Sequence, residues 1–163
     1  MTSTVVQRVS AHPFFGALSA HQRTALAEIA APVTFAAGAR IFAEGDPADR
    51  FWLVDEGSVA LDLRVPGRGD QTLETLGAGT VLGWSWLYPP FQWHFGAVAR
   101  VPTTAIAFDG ASVRRRCEAD PAFGYAVLSL FTPVIIERLQ ATRLRLLDLY
   151  ASPAQARLTE VRP

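Results

Sequence analysis

The chain has 163 residues, half of them hydrophobic and 18% charged, which excludes a disordered chain and predicts one packed domain. Fifteen basic residues balance fifteen acidic ones, so the overall charge argues against a nucleic-acid-binding protein, which needs a basic excess to contact phosphates. Cys117 is the only cysteine, and this excludes a disulfide or a cysteine-ligated metal cluster within one chain.

Residue usage and the N-terminus indicate the cellular setting. All the basic residues are arginine, which is typical of a GC-rich bacterial gene and excludes Schiff-base or Walker-type lysine chemistry. The first residues do not resemble a signal peptide, and we expect no membrane span because no stretch has the required apolar length. The sequence therefore predicts a bacterial cytoplasmic protein without membrane contact.

The N-terminal part predicts a leader followed by a short helix. Residues 1–12 are polar and unpatterned, and they are predicted to form a flexible leader ahead of a domain over 13–150. Ser19 is the predicted N-cap of a helix over 20–30, which Pro32 ends.

Between residues 33 and 109 short apolar runs alternate with glycine and proline. The runs 51–54, 59–63 and 105–108 have the length and composition of strands, and the segment 66–70 predicts an exposed hairpin tip. Regular short strands with turn signals of this kind predict an antiparallel barrel or jelly roll.

After Asp109 the apolar spacing becomes helical. Asp109 is the predicted N-cap of a short helix over 111–118. Asp120 and Pro121 are the predicted cap and first residue of a long helix over about 121–150.

Two prolines affect the end of the chain. Pro133 is expected to kink the long helix or to divide it in two, because proline clashes with the carbonyl four residues earlier. Pro153 follows the last apolar residues, and 151–163 is predicted to be a frayed tail. The predicted fold class is mainly β with flanking helices and a long C-terminal helix.

Several segments resemble a known family. The lead-in at 12–15, the strand and turn at 35–48 and the strand pair at 51–59 around Gly57 are similar to the cyclic-nucleotide-binding domain family. That family includes the sensor half of Crp/Fnr-type bacterial regulators, and the resemblance spans roughly residues 12–150. It implies a cyclic-nucleotide-binding-type antiparallel β-roll, followed by a long helix.

The resemblance also implies a phosphate-binding cassette, in which a glutamate takes the ribose hydroxyl and an arginine takes the cyclic phosphate. The matching segment here is 83–96, with Trp84 at the glutamate position and Trp93 at the arginine position. Without the arginine a cyclic phosphate loses a pair worth roughly 1.5–3 kcal/mol, or about one to two decades in affinity. We therefore do not expect cAMP or cGMP to bind in the usual way, and no other cofactor is predicted. The candidate ligand-binding residues of this degenerate cassette are Gly83, Trp84, Ser85, Trp86, Trp93 and His94.

The aromatic residues of this segment leave three interpretations open. They fill the vacated pocket, they line a pocket for an apolar or planar ligand, or they form a docking patch for a partner protein. Haem ligation by His94 or Cys117 is a further alternative. Three histidines without a His-x-His pair predict no metal site.

The long helix is predicted to form a homodimer, because an apolar stripe must be covered by the roll or by a second copy. The charged residues Glu137, Arg138, Arg143, Arg145 and Asp148 are expected to stay in water, as is the run Arg114–Arg116. Thirteen residues follow Tyr150, too few for a DNA-reading domain. The predicted dimer-helix residues are Val134, Ile135, Leu139, Leu146 and Leu149.

These features favour a non-enzymatic regulatory or sensor module, since no nucleophile–base pair, carboxylate dyad or metal set is present in the sequence. Its ligand would be a small molecule or a partner protein. The alternatives are an adaptor or structural subunit that docks a partner through the aromatic cassette, and a genuine cyclic-nucleotide receptor.

Overall fold

The computed structural model describes residues 2–158, except for the side chains of residues 2–4, 149 and 152–158. The helices are α1 (Thr2–Ala11), α2 (Ala20–Ala27), α3 (Gly110–Ala119) and α4 (Pro121–Leu158), with single 3₁₀ turns at Pro13–Phe15 and Ser85–Leu87. The strands are β1 (Ala30–Phe35), β2 (Arg40–Phe42), β3 (Arg50–Glu56), β4 (Val59–Val65), β5 (Gly69–Leu76), β6 (Val81–Leu82), β7 (Gly96–Ala99) and β8 (Thr103–Asp109).

The eight strands form two four-stranded sheets in which all pairs are antiparallel. One sheet has the order β1-β8-β3-β6 and the other the order β2-β7-β4-β5. The segment between β6 and β7 therefore joins the two sheets, and it is the segment matched to the cassette. The predicted β-roll with a long C-terminal helix is confirmed.

The central strand β3 of the first sheet is buried on both faces, since residues 51–54 are all buried and successive side chains of a strand point to opposite sides. Phe51 and Phe108 stack on one face with ring centroids 4.6 Å apart, and Phe15 and Phe131 cover them from the helical side. Trp52 points to the other face and stacks on Phe42 of the second sheet at 5.6 Å. The molecule thus has one apolar layer inside the roll and another between the roll and the helices.

Local sequence signals fix several turns and helix starts. Gly57 has φ +103°, and a Cβ there would lie 2.5 Å from Thr103 Oγ1, so this turn requires glycine. The Ser19 hydroxyl accepts from the Gln22 backbone N–H in a full capping box. Asp109 accepts from the backbone N–H of Ser112 at 2.8 Å. The predicted N-caps of α2 and α3 are therefore confirmed.

The prediction of a flexible leader over 1–12 is wrong for the described residues. Residues 2–11 form α1, whose Val5 and Val9 lie four residues apart on one helix face and are 7% and 0% exposed. Arg8 also forms an ion pair with Asp55 at the end of β3. Two valines at helical spacing were the available signal for this packed helix.

Two predicted boundaries differ from the structure. The helix expected over 20–30 ends at Ala27, and Pro32 lies inside β1. Proline is tolerated there because β1 is at the edge of its sheet, where a missing N–H removes no ladder bond.

The long helix is continuous. α4 runs through Pro133 and Pro153, so the first does not divide it. Residues 151–158 of the predicted tail are helical, and 159–163 lie outside the described residues.

Candidate functional site

The cassette segment begins at Gly83 and contains one turn of 3₁₀ helix. Gly83 has φ +94°, and a Cβ on it would lie 2.9 Å from Cζ3 of Trp93. Glycine therefore allows both the backbone turn and the close approach of the Trp93 ring. The turn at Ser85–Leu87 starts at Trp84, which makes no side-chain capping bond.

Trp93 points into the interior of the roll. Its ring is 5% exposed and stacks on Phe42 at 3.9 Å and on Trp52 at 5.8 Å. Its backbone N–H donates to Asp46 O at 2.9 Å, and its carbonyl accepts from Gly45 N–H at 2.8 Å. These contacts hold the indole as part of the inner apolar layer.

Trp86 points the opposite way, into the layer between the roll and the helices. It is fully buried, stacks on Phe51 at 4.8 Å and meets the ring of Phe131 edge-on at 5.1 Å. Its Nε1 has no hydrogen-bond partner. Trp86 is thus a core residue that ties the cassette to β3 and α4.

Trp84, Ser85 and His94 form a small polar and aromatic group, in which Ser85 is buried and His94 is exposed. Trp84 is half-buried and stacks on His94 with ring centroids 4.8 Å apart. Ser85 Oγ lies 2.9 Å from His94 Nδ1, with the donor set by the imidazole tautomer. The indole Nε1 of Trp84 is buried and has no hydrogen-bond partner.

The six predicted cassette residues therefore divide into three environments. Gly83 and Trp93 face the roll interior and Trp86 faces the helices. Trp84, Ser85 and His94 lie together, with Ser85 buried and His94 exposed. A cleft of about 490 Å³ lies beside Trp93 and Trp52, between β1 and β2, and Trp84 and Ser85 do not line it.

Arg138 is expected in water from its charge, but the structure buries it. It is 8% exposed, and its Nη1 donates to Glu74 Oε2 of β5 at 2.6 Å. Arg138 follows Phe131 by seven residues, which places both on the face of α4 that packs on the roll. That spacing was the signal available for its burial.

Arg114 is also expected in water, but in the structure it contacts the cassette loop. Its Nη1 donates to the carbonyl of Trp86, and its guanidinium lies 4.1 Å from the ring centroid of Phe91. Phe91 has φ +54°, a left-handed conformation that is uncommon outside glycine. Arg114 thus fastens α3 to the cassette loop, which corrects its predicted placement in water.

The outer face of α4 exposes an apolar stripe on the side away from the roll. Leu139 and Leu146 are 56% and 49% exposed, whereas Val134 and Ile135 are half-buried. The side chain of Leu149 lies outside the described residues. Five further exposed apolar side chains on this face were not predicted: Tyr125, Leu128, Ile136, Leu147 and Tyr150.

Part of this helix also has the length and composition of a membrane span. Pro121–Asp148 includes an 18-residue window with a mean hydropathy of 1.4, of which 22% is buried. The expectation that no stretch reaches this length and hydropathy is therefore wrong. A single helix that meets this test by length and composition alone is weak evidence for a membrane span.

The described residues 2–158 contain no group of three or more His, Cys, Asp or Glu side chains placed to hold a metal ion. Cys117 is half-buried on α3, and burial raises the pKa of its thiol. His12 is also partly buried, which lowers the pKa of its imidazole. Its Nδ1 accepts from the backbone N–H of Phe14 at 3.1 Å, a structural role.

Comparison with known sequences identifies relatives of most of the chain. A sequence model of the cyclic nucleotide-binding domain matches residues 32–120. A CRP-like cAMP-activated global transcriptional regulator of Mycobacterium tuberculosis is 26% identical over 129 residues, which are 79% of this chain and 56% of the regulator. The chain thus spans just over half the length of the curated relative that it matches.

Solved structures share the architecture. A protein from Geobacter metallireducens described as cyclic nucleotide-binding is 27% identical, with a TM-score of 0.74 over 82% of this chain and 96% of that one. A cyclic nucleotide-binding domain from Methylobacillus flagellatus is 22% identical, with a TM-score of 0.73 over 90% and 83%. The sensor domain of the regulator DNR from Pseudomonas aeruginosa is 21% identical, with a TM-score of 0.68 over 85% and 93%. With the family model covering more than half of its residues, this chain belongs to the cyclic nucleotide-binding domain family.

Proposed function

We propose that this chain is a non-enzymatic regulatory module that does not bind cAMP or cGMP in the family's usual way and that acts through a dimer formed by α4. The observation that carries the proposal is the position of Trp93, which packs inside the roll where the resemblance expects a phosphate-binding arginine. The expected setting is the bacterial cytoplasm, without nucleic-acid or membrane partners.

The residues present do not fit a cyclic nucleotide. Trp93 contributes no cation, and its ring lies against Gly83, at the start of the segment that would cradle the phosphate. Trp84 stands where the ribose-binding glutamate is expected, and its ring is stacked on His94. A nucleotide would have to displace stacked rings and would gain no charged pair at the position where the resemblance expects an arginine.

The contacts of α4 support an output through this helix. Its inner face is tied to the roll by Phe131 and by the buried pair between Arg138 and Glu74. Its outer face exposes Leu139 and Leu146, a surface that a soluble protein normally covers. A second copy of the chain is the proposed cover, and any shift of the roll would reach the dimer through these contacts.

The second candidate function is an adaptor or structural subunit without a small-molecule ligand. The packing of Trp86 and Trp93 favours it, since both rings contribute to the apolar layers and the cleft beside Trp93 does not include Trp84. The two candidates share the dimer and differ in whether any small molecule binds near Trp84.

Isothermal titration calorimetry tests the proposal, with cAMP and cGMP added separately to the purified chain at millimolar concentration. We expect neither saturable heat nor a change in melting temperature. A family member that binds cAMP serves as the positive control. Saturable binding with a micromolar dissociation constant would overturn the proposal and restore the receptor interpretation.

A further inference from the structure

The cleft between β1 and β2 has the size of a small-molecule site. Its volume is about 490 Å³, and pockets that hold small molecules measure roughly 300–1,000 Å³. Among the described residues that line it, Trp93 is the only one from the cassette segment 83–96, and none belongs to β4, β5 or α4. The cleft therefore differs in position from the group formed by Trp84, Ser85 and His94.

The lining of the cleft changes from apolar at its floor to charged at its mouth. The buried rings of Phe42, Trp52 and Trp93 stack on one another at the floor. Half-buried apolar side chains, among them Phe35 and Ile41, form the walls. The charged residues of the lining are all exposed: Asp46, Asp49 and Arg50. A molecule with an apolar body and a polar end fits this gradient.

The mouth of the cleft has an excess of negative charge. Arg50 is paired with its neighbour Asp49 by two hydrogen bonds, from Nε at 3.0 Å and from Nη2 at 3.1 Å. The carboxylate of Asp46 has no hydrogen bond or ion pair with any residue that the structure describes. Two carboxylates and one guanidinium leave one net negative charge, so the mouth favours a cation over an anion.

Backbone hydrogen bonds hold Asp46 in place beside the cassette loop. The carbonyl of Asp46 accepts from the Trp93 N–H at 2.9 Å. On either side of it, the Gly45 N–H donates to the Trp93 carbonyl at 2.8 Å and the Ala48 N–H donates to the Phe91 carbonyl at 2.7 Å. The turn is therefore already ordered, and a ligand at Asp46 would not lose affinity to the ordering of a loop.

We propose that this cleft binds a small organic cation that carries an aromatic ring, of the arylalkylammonium class. The ring packs among Phe35, Trp52 and Trp93, because aromatic side chains attract another ring in offset or edge-to-face contact. The ammonium group lies at the mouth beside Asp46, where it keeps part of its hydration. This inference goes beyond the function proposed above and does not depend on the α4 dimer.

The open mouth and the anchored turn have two consequences for such a ligand. It exchanges with the solvent, so it is lost during purification. While bound, it contacts the Trp93 ring, whose backbone is joined to the turn at Asp46. Occupation of the cleft therefore reaches the cassette loop through direct contacts.

Three compounds of similar shape and different charge test the inference: phenethylamine is a cation, phenethyl alcohol is neutral and phenylacetate is an anion. Each is titrated into the isotopically labelled full chain, and the indole N–H signals of the four tryptophans are followed by NMR. We expect phenethylamine to shift the Trp52 and Trp93 signals to saturation and to leave Trp86 unchanged. The alcohol should bind about fivefold more weakly, since it forms no ion pair with the exposed Asp46, and phenylacetate at least about tenfold more weakly.

The Asp46→Asn variant separates the charge from the apolar contacts. It should weaken phenethylamine binding about fivefold, to the level of the alcohol, and leave the affinity for the alcohol unchanged. Asp46 is exposed, so the variant should keep its melting temperature. Glu44→Gln removes an exposed carboxylate two residues earlier that does not line the cleft. This matched control should bind all three compounds as the unchanged chain does.

The outcomes distinguish this inference from the proposed function. Equal affinity for the three compounds would overturn it, as would phenethylamine binding that persists unchanged in Asp46→Asn. A titration without a saturable shift at Trp52 and Trp93, or with a shift confined to Trp84, would also overturn it. None of these results affects the proposal on cyclic nucleotides, which calorimetry with cAMP and cGMP decides separately.

Discussion

The cassette segment and the outer face of α4 are both rich in large apolar side chains, but they differ in burial. In the cassette, Trp86 and Trp93 are almost fully buried and stack on neighbouring rings. On α4, Leu139 and Leu146 are half exposed, on the side away from the roll. The conspicuous tryptophans thus belong mainly to the core, whereas ordinary leucines form the unpaired surface.

The comparison shows that unusual residues in a binding segment need not indicate a new ligand. An aromatic ring that replaces a ligand-binding arginine lowers the free energy of the folded chain more when it packs in the core than when it lines an open pocket. The reason is that large aromatic side chains remove the most apolar surface from water on burial. An exposed leucine stripe has no such solution within one chain, so it indicates an interaction.

The largest expected effect is the loss of the Trp86 ring. Trp86→Ala should lower the free energy of unfolding by about 4 kcal/mol, because it leaves a cavity between Phe51 and Phe131. Urea denaturation measures the change. Tyr88→Ala, two residues away and 40% exposed, is the control and should change stability by less than about 0.5 kcal/mol. Equal losses of unfolding free energy for Trp86→Ala and Tyr88→Ala would contradict the conclusion that Trp86 is a core residue.

The next effect concerns the outer face of α4. Leu139→Glu should weaken the proposed dimer about a hundredfold, because it would place like charges across a two-fold interface formed by this face. Light scattering across a dilution series measures the mass. Leu144→Glu adds the same charge to a residue that is 64% exposed but outside the stripe, so its dimer should persist. A dimer that tolerates both substitutions is not formed by this face.

A smaller effect is expected at the junction between the two regions. Glu74→Gln removes the carboxylate that pairs with Arg138 and should destabilise the chain by roughly 2 kcal/mol, below the cost for a fully buried pair because Glu74 is 31% exposed. Thermal and urea unfolding report the change. Combining it with Arg138→Met should recover part of the loss, since no charge is then left unpaired. Additive losses would show that the two side chains do not act as a pair.

The smallest effect tests the N-cap of α3, which supports Arg114. The hydroxyl of Ser112 and, more weakly, its backbone N–H lower the pKa of Asp109. A lowered folded-state pKa contributes stability above the unfolded value of about 3.9, and this contribution is lost as the pH falls through the folded value. Asp109→Ala should therefore cost about 1 kcal/mol at neutral pH and progressively less in acid. Urea titrations over that range check it, and a cost independent of pH would contradict the cap.

Sequence patterns predicted those parts of the fold that depend on local chemistry. Ser19 and Asp109 cap helices within three residues of themselves, and Gly57 has a positive φ, so these cap and turn roles follow directly from residue type. The close approach of Gly57 to Thr103 is a long-range contact that residue type does not predict. The β-roll followed from strand and turn spacing and from the family resemblance.

The parts that sequence could not predict depend on which side of an element a residue faces. Trp84, Trp86 and Trp93 are alike in the sequence, and their three directions are set by the 3₁₀ turn and by Gly83. Arg138 is charged, so its burial becomes visible only when Glu74 is placed beside it. The polarity of residues 1–12 predicts a flexible leader, whereas the helical spacing of Val5 and Val9 indicates the packed helix that the structure shows.

Native mass spectrometry of the chain as purified tests the central claim most directly, because one spectrum reports on both regions. We predict a species of twice the 17.7 kDa chain mass with no additional bound mass. A dimer carrying the mass of a cyclic nucleotide would contradict the account of the cassette, and a monomer at all concentrations would contradict the account of α4.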